Sequence, residues 1–155
     1  MTTPQQVGEA GHVRYTYRLR VSCTARRALL GEWDRCRWVW NRCVAQCRSV
    51  HQHNRAHPDD PRTCGPAALD KMLTGWRAEH DWLREGASVP QQQIIRDFAA
   101  SRTTVLKDIT ARLPMRQRAG MPRFKKKDQA APTLNYTLRG FRLKDGRLHV
   151  AGGSC

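Results

Sequence analysis

The chain has 155 residues, enough for one domain with a buried core, and a formal net charge of +15 from 28 Lys and Arg against 13 Asp and Glu. This excess favours a nucleic-acid partner, with an anionic membrane surface as the alternative. No apolar run approaches the length of a membrane span, and residues 1–11 are polar and lack the apolar core of a signal peptide. We therefore expect a cytoplasmic protein without a membrane partner, and a disordered N-terminus over residues 1–11.

The first predicted element is a strand over residues 12–21, where apolar and polar side chains alternate without a fault. The apolar side carries Val13, Tyr15, Tyr17, Leu19 and Val21, and the opposite side carries His12, Arg14, Thr16, Arg18 and Arg20. Period-two alternation with aromatic and β-branched residues is typical of a half-buried strand. The outer face of this strand would be cationic.

A helical block is predicted for residues 23–113. Apolar residues at spacings of three and four predict two helices before residue 51, and a short break near residues 34–36 would make them a helix-turn-helix-like pair. Residues 51–65 are rich in Pro, Asp and His and predict a loop. Pro66 then favours the first turn of a helix that runs to about His80.

The last helix is predicted to begin at Ser88, because Ser88 and Gln91 form a capping-box pattern. It should end at or before Leu113, since a proline follows and disfavours helical geometry in the residue before it. The connector after it, residues 112–127, carries seven cations and no acid. Such a density attracts polyphosphate, because each neutralised phosphate releases condensed counterions. A flexible basic linker is the plainer alternative.

Alternation returns over residues 134–138, 141–143 and 148–150 and predicts three strands. Asp145-Gly146 is a two-residue turn of the kind that needs positive φ, so the last two strands should form a hairpin. Terminal strands on both sides of a helical block predict an α+β fold. The β domain would comprise residues 12–22 with 114–155, and residues 23–113 would be a helical insertion.

Four segments that occur in this order resemble the N-terminal region of the transposon-encoded OrfB/TnpB proteins. These are Tyr15–Leu19, Cys36–Arg42, Pro122–Lys127 and Phe141–Leu148, and the likeness covers about residues 12–150. The family comprises RNA-guided DNA endonucleases related to compact type V CRISPR effectors. The resemblance implies a small oligonucleotide-binding β-barrel, called the wedge domain, that is interrupted by a helical recognition or helix-turn-helix region.

In that family the two parts together hold the guide RNA and the guide–target heteroduplex, and a RuvC-like nuclease fold and a zinc finger follow downstream. This sequence ends before such a fold begins, so we expect a nucleic-acid-binding N-terminal portion without catalytic activity of its own, with nucleoid association and a downstream nuclease portion as a further partner. The candidate binding residues are Arg14, Arg18, Trp38, Asn41, Arg42, Arg123, Phe124, Lys125, Lys126, Lys127, Arg139 and Arg142.

The binding hypothesis is a cationic groove between the barrel and the helices. Arg123 and Lys125–Lys127 would contact phosphates, and Phe124 would either anchor the loop or stack on a base. The groove would be extended by Arg14, Arg18 and Arg20 of the first strand and by either Arg139 or Arg142. Such contacts read backbone shape more than sequence.

Three residues of the second predicted helix could either contact nucleic acid or pack within the protein. Trp38 and Trp40 could stack on unpaired bases or pack in the core, and the apolar stripe favours the core for Trp40. Asn41 is either a polar contact to nucleic acid or an amide that packs helices together.

The cysteines are predicted to be reduced thiols, because no signal peptide precedes them and no Cys-x-x-Cys pair occurs. Cys43, Cys47 and His51 lie at i, i+4 and i+8, so a zinc site completed by His53, His57 or Cys64 is one alternative. Packing is preferred, since Cys is often buried and this stripe is already apolar. We expect neither a metal nor another cofactor.

No catalytic constellation is predicted. Two-metal phosphodiester hydrolysis needs converging carboxylates, and the acids here fall on predicted helices, loops or turns, with Asp59-Asp60 best explained as a loop before a helix. A stand-alone helix-turn-helix DNA-binding regulator is the main alternative function. The third alternative is an enzyme or metal module built on Cys43, Cys47 and His51, which we call the cysteine stripe.

Overall fold

In the computed structural model the described residues are 11, 13–151 and 153–154, so the disorder predicted for residues 1–10 lies outside them. The helices are α1 (Cys23–Ala56), α2 (Pro66–Glu79), α3 (Asp81–Arg84) and α4 (Ser88–Thr110), followed by a 3₁₀ turn at Met115–Gln117. The strands β1 (Phe141–Lys144), β2 (Arg147–Val150) and β3 (Gly153–Ser154) form an antiparallel sheet in the order β1-β2-β3. The α+β class is therefore confirmed.

Helix α1 is continuous, so the predicted break near residues 34–36 is wrong. Its buried stripe crosses that region without interruption, through Trp33, Cys36, Val39, Trp40 and Cys43. Ion pairs from Glu32 to Arg35 (3.0 Å) and from Asp34 to Arg37 (3.5 Å) also span it. The helix-turn-helix-like pair is thus absent from these residues, and the loop predicted from residue 51 begins only after Ala56.

Helix α2 begins at Pro66 and α4 begins at Ser88 and ends before Leu113, as predicted. The capping box at Ser88 is wrong, because Gln91 is fully buried and bonds elsewhere, to the Leu83 carbonyl at 2.9 Å. The helix is capped from a distance instead. The N–H of Ala87 donates to Glu32 Oε2 of α1 at 3.0 Å. Burial raises the pKa of Glu32, although this hydrogen bond and the neighbouring Arg35 and Arg77 oppose the rise.

The core lies between α1, α2 and α4. Trp40 of α1 meets Phe98 of α4 edge-to-face, with ring centroids 5.2 Å apart. Leu69 and Leu73 of α2 and Ile95 of α4 are buried in the same cluster. Helix α4 is therefore the central element of the helical block, since it packs against both α1 and α2.

The predicted first strand is wrong for the described residues 13–21. They carry no strand, and their apolar side chains are exposed, with Tyr17 at 77% and Val13 at 72%. Residues 134–138 also carry no strand; the third strand is Gly153–Ser154. Alternation marks one face of a strand, but a strand also needs a hydrogen-bonded partner.

The hairpin prediction at Asp145-Gly146 is confirmed. Both residues have positive φ, 50° and 70°, and Lys144 pairs with Arg147 across the turn. The three short strands do not close a barrel within the described residues, so the predicted barrel is not formed there. An oligonucleotide-binding barrel requires about five strands. The bounds proposed for the β domain and the helical insertion stay a prediction.

Candidate nucleic-acid interface

Residues 123–127, which we call the docked segment, lie against α1 and are held there by hydrogen bonds to their backbone. The indole N–H of Trp40 donates to the Arg123 carbonyl at 2.7 Å. The side chain of Asn41 pairs with Lys125 twice, since Nδ2 donates to its carbonyl (3.1 Å) and Oδ1 accepts from its N–H (2.8 Å). A free basic linker would have none of these contacts. Trp40 therefore lies in the core, as the apolar stripe favoured. The Asn41 amide holds the connector rather than a second helix, and its contact with nucleic acid stays a prediction.

The side chains of the docked segment point in different directions. Lys125 is partly buried, with Nζ 4.0 Å from the ring centroid of Trp40 and 5.3 Å from that of Trp33. Burial lowers the pKa of Lys125. Arg123, Lys126 and Lys127 are exposed. The segment therefore places three cations in solvent while Lys125 covers the aromatic edge of the core.

Beside the docked segment is a cleft of about 540 Å³, which we call the arginine cleft, between α1, α4 and residues 121–123. Its cationic side chains are Arg48, Arg102 and Arg123, and His51 joins them. The guanidinium of Arg48 also lies 4.6 Å from the ring centroid of Phe124. Phe124 is 45% exposed, so it serves as a platform for Arg48 and retains an open face.

Arg102 is anchored at one end of its guanidinium only. Its Nη1 donates to the Cys64 carbonyl at 3.0 Å. Its Nε is buried and has no hydrogen-bond partner within the described part of the chain. The Cys64 carbonyl therefore fixes one end of the guanidinium, while Nε lies below the surface of the cleft.

Trp38 and Arg42 form a second cluster, away from the docked segment. The Trp38 ring meets Trp76, Trp82 and His80 edge-to-face at centroid distances of 5.1 to 5.8 Å. Arg42 covers it, with Cζ 5.0 Å from the ring centroid. A base that stacked on Trp38 would have to displace Arg42, and stacking there stays a prediction.

The other candidate residues lie on the β side of the molecule or on the N-terminal segment. Arg139 and Arg142 line one hollow of about 540 Å³ along β1 and β2. Arg139 also shares a smaller hollow, of about 330 Å³, with Arg96 of α4. Arg14 and Arg18 are exposed on residues 13–21. The single groove expected from the sequence thus corresponds to separate cationic areas.

Sequence reasoning missed Arg48 and Arg102, the two arginines that line the arginine cleft together with Arg123. A signal for both was present. Arg48 continues the spacing Trp40, Val44, Arg48, and Arg102 stands midway between Phe98 and Leu106 at intervals of four. An arginine on an apolar helical stripe extends its charge beyond the edge of the core while its stem packs on it.

The cysteine stripe contributes thiols to the core. Cys47 Sγ lies 3.0 Å from Cys64 Sγ, and burial raises the pKa of Cys43 and of Cys47 to about 12. His51 is exposed. Within residues 13–151 no group of three or more His, Cys, Asp or Glu side chains is arranged to hold a metal ion, so the alternative of a zinc site on Cys43, Cys47 and His51 gains no support from the geometry.

Comparison with known proteins gave no matching family model and no matching curated protein. None of the helices in the described part of the chain combines the length and the apolar character needed to cross a membrane.

Proposed function

We propose that this chain binds nucleic acid, with a guide RNA and an RNA–DNA heteroduplex as its ligands. The observation that carries the proposal is the docked segment. Its backbone is held on α1 by Trp40 and Asn41, while Arg123, Lys126 and Lys127 remain exposed. Cations on an ordered backbone lose less conformational freedom on binding than cations on a mobile tail.

The phosphate-binding surface would combine the docked segment with Arg48 and Arg102. Its five exposed or partly exposed cations are Arg48 of α1, Arg102 of α4, and Arg123, Lys126 and Lys127 of the connector, while Lys125 covers Trp40 instead. The three arginines line the arginine cleft, so the surface is not confined to a single helix. Contacts of this kind follow the shape of a phosphate backbone and do not select a sequence. A-form geometry and 2′-hydroxyl groups would favour RNA or a heteroduplex over B-form DNA.

The resemblance to OrfB/TnpB proteins supports a more specific form of the proposal. The chain would be the nucleic-acid-binding N-terminal portion of an RNA-guided nuclease, and a separate RuvC-like portion would cut the DNA. No catalytic step is assigned to the residues of this chain. The protein would act in the cytoplasm, where its nucleic-acid partners place it at the nucleoid.

Binding to a short RNA duplex should weaken steeply as salt is raised. If Arg48, Arg102, Arg123, Lys126 and Lys127 each neutralise one phosphate, log K should fall against log salt with a slope of roughly −3.5 to −4.5. Replacing three of them in R123Q/K126Q/K127Q should make that slope shallower by about 2 to 3. Fluorescence anisotropy over a salt series measures both values.

A variant with the same charge loss elsewhere provides the control. Arg55, Arg62 and Lys71 are exposed and lie on the end of α1, the following loop and α2. R55Q/R62Q/K71Q should retain the slope of the unmodified protein. A slope near zero in the unmodified protein, or equal losses in the two triple variants, would contradict the proposed surface.

A further inference from the structure

The floor of the arginine cleft is apolar, although its rim is cationic. Phe98 and Val44 are almost fully buried beneath it. Leu106 of α4 and Met121 of the connector form walls that are 38% and 52% exposed. A surface that contacts only phosphates has no need of such a floor, because phosphate oxygens are fully polar. The cleft therefore offers an apolar surface for a base and cations for phosphates, which are the two parts of a nucleotide.

From this arrangement we infer that the arginine cleft receives a single unpaired nucleotide of a bound RNA strand. The inference rests on the proposed nucleic-acid binding and specifies one site within it. The volume of about 540 Å³ falls within the range of about 300–1,000 Å³ that is typical of small-ligand sites. A paired base cannot enter such a cleft, since its partner strand would follow it.

The nucleobase lies on the apolar floor, between Leu106 and the connector. Base contact with apolar and aromatic side chains tolerates any base, because every base has a π-face. Arg102 lines the cleft beside this floor as a phosphate-binding cation, and the Cys64 carbonyl holds its Nη1 at 3.0 Å.

The phosphates on either side of this base remain at the rim. Arg48 is orientated by Phe124, and Arg123 has its carbonyl held by Trp40. The Arg48 guanidinium is thereby orientated before the strand arrives, and the exposed Arg123 side chain extends from a fixed backbone. A guanidinium can donate two parallel hydrogen bonds to one phosphate, which makes arginine well suited to this role. From Arg123 the strand continues along the exposed Lys126 and Lys127.

A variant that fills the cleft without changing its charge tests the inference. In L106W the larger ring occupies the floor, and all cations remain. The probes are a short paired RNA duplex and the same duplex with one bulged, unpaired nucleotide. The unmodified protein should bind the bulged duplex about 5- to 150-fold more tightly, the factor that corresponds to one stacked base. In L106W the two probes should bind equally, with the affinity for the paired duplex and its salt slope unchanged.

I109W is the matched control, because Ile109 lies one turn further along α4, is 44% exposed and does not line the cleft. It should keep the preference for the bulge. M121W repeats the test from the opposite wall if L106W fails to fold by circular dichroism. A bulge preference that survives in L106W and M121W would overturn the nucleotide site and leave the proposed function standing. Failure of the unmodified protein to bind either probe, or binding only of a phosphorylated peptide, would overturn both.

Discussion

Two asparagines on α1 make the same pair of contacts with different segments. Asn41 pairs with the N–H and carbonyl of Lys125, and Asn54 pairs with those of Arg62 at 2.8 and 2.9 Å. Each carboxamide thereby takes the place that a neighbouring strand would occupy. From the sequence alone, Asn41 could be either a contact to nucleic acid or an amide that packs helices together. In the proposed function Asn41 would therefore act by positioning the docked segment.

N41A should destabilise the fold and weaken RNA binding together. Removing the carboxamide deletes two hydrogen bonds and leaves partly buried backbone groups of Lys125 unsatisfied, which costs about 1–3 kcal/mol. The docked segment would then lose its fixed position. Urea unfolding measures the stability, hydrogen exchange at the Lys125 amide measures the local change, and anisotropy measures the affinity for an RNA duplex.

N54A is the control for this residue, because it removes an equivalent pair of hydrogen bonds from the loop at Arg62. It should cost less stability than N41A, because water can replace these exposed hydrogen bonds, and it should leave RNA affinity unchanged at a temperature where both variants are folded. If N54A weakens binding as much as N41A does, the effect reports general destabilisation and the positioning role of Asn41 is wrong.

At the scale of the elements, signals carried by neighbouring residues predicted structure well, and signals that depend on distant partners did not. Pro66 began a helix and Asp145-Gly146 made a turn, since each acts on its own backbone. The N-terminus of α4 depends on Glu32, which precedes the capped residue by 55 positions. No local pattern at Ser88 could reveal that carboxylate. The same reason explains why the break in α1 was predicted where buried packing makes the helix continuous.

G31A should stabilise the protein. Gly31 lies inside α1, and an added Cβ would meet only the end of the flexible Arg35 side chain, at 3.7 Å. Replacing a glycine in a helix interior by alanine gains about 0.5–1 kcal/mol when there is space for the methyl group. The urea midpoint should rise, and RNA binding should not change.

G75A is a parallel case, since Gly75 lies within α2 and has no atom within 4 Å of the added Cβ. It should give a gain of the same size. Stabilisation by G75A together with a loss in G31A would indicate that α1 bends near Gly31, as the helix-turn-helix alternative requires.

At the scale of the whole molecule, the sequence predicted the α+β class and the chemical character of the surface, but not the closure of the sheet. The alternation in residues 13–21 identified which side chains would share a face. It contained no information on a pairing partner, and those apolar side chains are exposed. A hollow of about 620 Å³ lies between this segment, α1 and β2. The cations of the connector, in contrast, could be read from composition and order along the chain. Their position on α1, beside Arg48 and Arg102, could not, because it depends on packing between distant segments.

Three thiols on α1 should make the free energy of unfolding fall at alkaline pH. Burial raises the pKa of Cys36, Cys43 and Cys47 from 9.0 to about 12. The unfolded chain releases these protons near pH 9, whereas the folded chain keeps them until about pH 12. Their contribution to stability is therefore complete below pH 9 and is lost as the pH rises to 12. Lys125 acts in the opposite direction, because burial lowers its pKa, but it is one group against three.

C36A should make the fall of unfolding free energy with pH less steep. Each thiol that keeps its proton in the folded state alone contributes up to about 1.4 kcal/mol per pH unit, so removing one should reduce the slope between pH 9 and 12 by up to that amount. Urea unfolding at several pH values gives the slope. V39A truncates a fully buried neighbour on the same stripe. It should lower the free energy of unfolding at every pH and leave the slope against pH unchanged. Equal slopes in the unmodified protein, C36A and V39A would show that the buried thiol of Cys36 ionises as readily in the folded chain as in the unfolded one.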